Sequence, residues 1–149
     1  MRLYFDVSCL NRPFDDQRSP RIRRESEAVL LIFDRIDRGD WSHVSSQMAV
    51  VEIDATADAP LRRRMLSMLP PSADIMPIEE ALMRRAAEIG GLGIKPADAV
   101  HVAAAEALRA DALLTCDDRL LKAAARHFRQ LGVRVCNPVT WIDEQHEEE

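Results

Sequence analysis

The chain lacks any apolar run near the roughly 20 residues that a helix needs to cross a bilayer, so no membrane-spanning helix is expected. It also lacks the pattern of a secretory leader, because Asp6 interrupts the first apolar stretch. Only three cysteines occur, Cys9, Cys116 and Cys136, an odd number without metal-ligand spacing. Reduced thiols in a cytoplasmic protein are therefore expected. The histidines His43, His101, His127 and His146 are scattered and form no zinc pattern. Glycine clusters once, at Gly90-Gly91-Leu92-Gly93, after a helical stretch and without the Lys-Ser/Thr of a phosphate-binding P-loop. Internal repeats are absent, as is any linker long enough to divide domains.

What remains suits one domain with one core: 149 residues, 47% apolar and 30% charged. We read 1–142 as that domain and 143–149 as an acidic, disordered tail. The tail holds five of the acids behind the formal charge of −5, and without it the charge is zero. Basic residues gather at Arg18, Arg21, Arg23 and Arg24, and again at Arg62, Arg63 and Arg64. Solvated helix faces and phosphate steering explain these clusters equally well.

Strand and helix signals alternate along the chain. Leu3-Tyr4-Phe5 reads as a buried strand, followed by a polar, Pro-broken loop over 8–17. Ser19 and Pro20 open an amphipathic helix that Gly39 stops. A strand at 41–45 precedes a helix capped by Ser46, and Pro60 starts the next helix. The pattern continues with a strand at 74–78, helices at 79–89 and 97–109, a strand at 112–116, a helix at 118–131 and a strand at 133–136. Pro138 begins a closing turn around Trp141. Such alternation predicts an α/β fold, a mostly parallel central sheet of about five strands flanked by helices.

Four acids stand out against this frame. Asp6 and Asp117 each end an apolar strand, and ligands of parallel sheets collect at the carboxyl ends of strands. Asp98 lies in the first turn of a nearly apolar helix, where an unpartnered carboxylate would be costly. The helix dipole alone would also favour it there. His101, three residues on, is either its hydrogen-bond partner or a packing histidine. Glu52 competes with Asp54 on the same helix; the two are about 200° apart, so one of them faces a cleft. Asp118 makes a natural N-cap for the helix it begins, which leaves Asp117 to face outward from the strand end. Carboxylates that converge repel one another unless a cation such as Mg²⁺ or Mn²⁺ lies between them.

Together these motifs resemble the PIN-domain nucleases, in particular the VapC-type toxin ribonucleases. Asp6-Val7-Ser8 is similar to the family's opening acid followed by Ser or Thr. Glu52 stands at its second acid, Asp98 in Asp98-Ala99-Val100-His101-Val102-Ala103 matches its D-A-x-H-x-A helix, and Leu113-Leu114-Thr115-Cys116-Asp117 matches its L-x-T-x-D strand end. The resemblance implies a PIN-like fold and metal-dependent cleavage of RNA phosphodiesters. Asp6, Glu52, Asp98 and Asp117 would hold Mg²⁺ or Mn²⁺, with Ser8 and Thr115 fixing the carboxylates. Asn11 and Arg12 would meet the substrate. It implies further a homodimer and a small cognate antitoxin as partner, the chain being the toxin of a type II pair. The alternative is a PIN-like module that binds RNA or protein without cleaving.

Overall fold

The computed structural model describes residues 1–148. Its centre is a five-stranded sheet in which every ladder is parallel, in the order β3-β2-β1-β4-β5. The strands are β1 (Arg2–Phe5), β2 (Ser42–Ser46), β3 (Ile75–Met76), β4 (Ala112–Leu114) and β5 (Val135–Cys136). From β1 the chain winds outward through β2 and β3, then returns to the other side of β1 with β4 and β5. The strand order therefore reverses between β1 and β4, which is where an open α/β sheet forms its ligand crevice. Phe5 pairs with Leu114 in that ladder, and the next residues out are Asp6 and Thr115.

The central strands are buried almost without break because both faces of the sheet are covered, and successive side chains enter opposite cores. Leu3, Phe5, Ala112 and Leu114 point into one core, shared with Val29, Ile32, Ile53 and Trp141. Tyr4 and Leu113 point into the other, with Leu82, Ile89, Val100 and Val133. The first core lies beneath α2 (Pro20–Asp37), α4 (Ala59–Met68) and α8 (Pro138–Glu148). The second lies beneath α5 (Glu80–Gly90), α6 (Pro96–Ala107) and α7 (Asp118–Arg126). The α2 helix begins where the sequence predicts, with Ser19 accepting the Ile22 N–H and Pro20 at the first position. Gly39, which follows it, has φ +84°, a conformation that glycine adopts without a Cβ penalty.

Two segments differ from their sequence reading. The stretch 8–17, read as loop, contains the short helix α1 (Val7–Asn11) and a 3-10 turn at Arg12–Phe14. Asp6 caps α1, and Cys9 and Leu10 are buried beneath it, so apolar contact and a cap outweigh the polar composition. The acidic tail also departs from expectation: α8 runs on as helix to Glu148, and Glu149 lies outside the described residues. Trp141, Ile142 and Gln145 form the buried stripe of α8, with Trp141 edge-on to Trp41 at 6.2 Å. Glu144 accepts a two-pronged hydrogen bond from Arg134, 2.6 Å on each arm, which ties the acidic turn to β5.

Candidate active site

Asp6 leaves β1 at the crevice and is 4% exposed. Its backbone N–H continues the ladder to the Leu114 carbonyl at 3.1 Å. Oδ1 accepts the Cys9 N–H at 3.1 Å, as the N-cap of α1, and the Ser8 hydroxyl at 2.6 Å. Oδ2 accepts the hydroxyl of Thr115. Burial pushes the Asp6 carboxyl up, while the Ser8, Thr115 and Cys9 donors favour its charged form. Capping and site formation are thus done by the same side chain.

Ser8 and Thr115 each work twice. The Ser8 oxygen also accepts the Cys116 N–H at 3.0 Å, and the Thr115 oxygen accepts the Asp117 N–H at 3.0 Å. Each hydroxyl therefore ties Asp6 to the chain that leaves β4, which fixes where Asp117 begins. Asp117 is itself the N-cap of α7, its Oδ1 accepting the Arg119 N–H at 2.9 Å. The cap predicted for Asp118 thus falls on Asp117. Asp118 is the first residue of the helix and forms a forked pair with Arg21, at 2.9 and 2.8 Å.

Asp98 is half-buried in the first turn of α6. Burial, followed by the charges of Asp6 and Asp117, pushes its carboxyl up to about 6, with a further push from Glu52. The carboxylate has no hydrogen-bond partner among the described residues, and the His101 bond that the sequence left open is made elsewhere.

That bond goes to Glu52, from α3 (Gln47–Asp54). His101 is 1% exposed and lies between two partners, Glu52 at Nε2 and the Tyr4 hydroxyl at Nδ1, 2.6 Å away. Because a carboxylate accepts, Nε2 donates to Glu52, and in the neutral imidazole Nδ1 then accepts from the Tyr4 hydroxyl. The Tyr4 oxygen then accepts from Ser46, 2.6 Å away. Ser46 occupies the N-cap position of α3, yet its hydroxyl makes no cap there. A chain of four polar groups, three of them buried, thus leads from β2 through β1 and α6 to Glu52. Asp54 faces solvent.

The family model described as PIN domain matches residues 4–126, which include all four acids. The chain belongs to the PIN domain family. It is similar to a solved chain from Rickettsia felis, in a crystal structure of VapBC2 bound to a DNA fragment from their promoter. Identity is 12%, the TM-score 0.58, and 92% of this chain and 98% of that one are covered. At this identity the likeness is one of fold. No curated protein matches.

Within this PIN fold, the acids form an all-oxygen donor set whose mutual repulsion suits a hard divalent cation. They do not form a closed shell: no group of three or more His, Cys, Asp or Glu among the described residues is gathered closely enough to hold an ion. Asn11 and Arg12 are engaged inside the protein. Asn11 donates to Asp15 at 2.8 Å, and Arg12 pairs with Asp15 at 3.1 Å and Glu25 at 2.9 Å. Glu25, which sequence reasoning missed, is 2% exposed and also accepts from Asn137. Its place on the apolar stripe of α2, four residues before Val29 and seven before Ile32, was the available signal.

Proposed function

We propose that this PIN-domain protein is a divalent-metal-dependent endoribonuclease, the VapC-type toxin of a type II pair. Its partners would be an RNA substrate, a cognate antitoxin and a second copy of itself, in the cytoplasm. The observation that carries the reading is geometric: Ser8 and Thr115 fix Asp6 and the Asp117 backbone at the crevice between β1 and β4, and Asp98, pushed up first by its burial and then by the charges of Asp6, Asp117 and Glu52, would be relieved by a cation there. A bound Mg²⁺ or Mn²⁺ would supply Lewis-acid activation of water and offset charge building on the phosphate.

The chain's own residues supply placement. Asp6, held by Ser8 and Thr115, presents a carboxylate that cannot swing away from the crevice. Asp117 is set by the Thr115 oxygen at the first turn of α7. Glu52 is steered by His101, leaving its second oxygen for a metal or for a water that attacks phosphorus. Asp98 completes the set from α6.

A second reading, a non-cleaving module, draws on the open arrangement of the acids. RNA cleavage assayed with and without Mn²⁺, for the wild type and Asp6→Asn, separates the two. Mn²⁺-stimulated cleavage lost in the variant supports the nuclease, and cleavage in neither supports the module.

A further inference from the structure

A site that must accept a polyanion cannot consist of carboxylates alone, and three of the arginines that the sequence singles out are taken by carboxylates of their own. Arg12 is held by Glu25, Arg18 by Asp16 at 2.5 Å, and Arg21 by Asp118 at 2.8 Å. Arg23, Arg24 and Arg63 make no ion pair among the described residues, but a second set of unpaired cations lies beside a site acid. Lys95, Arg119, Lys122 and Arg126 make no side-chain hydrogen bond or ion pair among the described residues. Lys122 lies within electrostatic range of Asp118, which Arg21 already holds.

These four line one concave pocket of about 220 Å³ between the start of α6 and the face of α7, and Asp98 lies on its wall. Arg119, Lys122 and Arg126 recur at i, i+3 and i+7, which puts them on one face of α7. Leu120 and Ala124 turn the opposite face into the core. Lys95 comes from the other side, just before Pro96 opens α6. A merely solvated helix face explains exposed cations on α7. It does not explain cations from two elements around one hollow that ends on a site acid.

We infer that this pocket is a phosphate-binding subsite that seats the RNA strand beside the acids. The inference rests on the nuclease reading for its biological meaning, but not for its chemistry. The row on α7 spans about 10 Å from Arg119 to Arg126, at about 1.5 Å per residue, so it can follow a strand over more than one phosphate. It also starts two residues after Asp117, so a strand seated on it is led directly to the acid crevice. Contacts of this kind position a strand without reading its sequence. No aromatic side chain lines the pocket to stack a base.

The test is binding of a fluorescein-labelled single-stranded RNA to the full chain in EDTA, so that no divalent cation supports cleavage, followed by anisotropy over a range of KCl. Lys122→Ala with Arg126→Ala is expected to weaken binding about tenfold and to make the salt dependence shallower by about 0.7 per lost phosphate contact. Lys122→Arg with Arg126→Lys should bind as the wild type does, because charge and reach are kept. Arg63→Ala with Arg64→Ala, in the cluster on α4, should change little. An unchanged affinity and slope in the α7 alanine variant would overturn the assignment, as would an equal loss from the α4 variant. The assignment also fails if polyglutamate competes as well as RNA, since the pocket would then serve an acidic protein. RNA that binds through this pocket yet is never cut with Mn²⁺ would sink the nuclease reading and leave the subsite standing.

Discussion

The hydroxyl of Thr115 lies between Asp6 and Asp117: it donates to the Asp6 carboxylate and accepts the Asp117 N–H at 3.0 Å. One side chain at the end of β4 thereby sets two acids that are 111 positions apart in the chain. The reversal of strand order opens the crevice between β1 and β4, and Thr115 fixes both acids at it.

Thr115→Val keeps the shape and removes both hydrogen bonds. Leaving a fully buried carboxylate short of a donor costs about 1–3 kcal/mol, so the melting temperature should fall by several degrees. Calorimetric titration with Mn²⁺ should show weaker binding, with Thr115→Ser recovering most of it. Equal melting and equal Mn²⁺ affinity in the valine variant would contradict the bridging role.

Tyr4→Phe removes the donor to His101 Nδ1 and the acceptor of Ser46 within a dry core. The loss should be about 1–3 kcal/mol in urea unfolding. The crevice should suffer as well, because His101 would no longer be fixed in the tautomer that donates to Glu52. A phenylalanine variant as stable as the wild type would argue against the buried relay.

Asp98 gives a pH signature in the absence of metal. Its folded-state pKa of about 6 lies above the ordinary 3.8, so the fold favours the protonated form. The stability it contributes is complete below about pH 4 and is lost as pH rises through 6. Asp98→Asn, neutral throughout, should therefore stabilise the fold in EDTA at pH 7.5, by about 1 kcal/mol after allowing for its partial exposure and seen as a higher melting temperature, and much less at pH 4.5. A variant that melts lower than the wild type at both values would show that Asp98 is a helix-dipole partner and little else.

Arg12 distinguishes structure from substrate binding. Its guanidinium pairs with the buried Glu25, so Arg12→Ala leaves a carboxylate without its main cation at a cost of about 3–5 kcal/mol. Thermal melting should register that loss. If Arg12→Ala melts as the wild type does but binds RNA poorly, the residue belongs to the substrate instead.

The fold was largely legible because alternating strand and helix signals are local: Ser19-Pro20, Gly39 and Pro96 each mark an end by their own chemistry. Asp6 and Asp117 were legible for the same reason, as acids directly after apolar strands. What eluded the sequence was pairing across the chain. That Asp117 rather than Asp118 caps α7 depends on Thr115 and on Arg21, which takes Asp118. That Arg12 is internal depends on Glu25, hidden in an amphipathic helix where a charged residue reads as surface. The helix at 7–11 and the helical tail arise from burial of Cys9, Leu10, Trp141 and Ile142, contacts that composition does not reveal.

Whether the four acids hold a divalent cation for RNA hydrolysis, as proposed, is decided by one comparison. Purified wild type and Asp6→Asn are incubated with a mixed-sequence single-stranded RNA, each with Mn²⁺ and with EDTA. For a metal-dependent nuclease, the wild type should cleave with Mn²⁺ alone and activity should fall about a hundredfold or more in Asp6→Asn, with both proteins folded by circular dichroism. Cleavage that persists undiminished in Asp6→Asn, or in EDTA, would contradict the proposal.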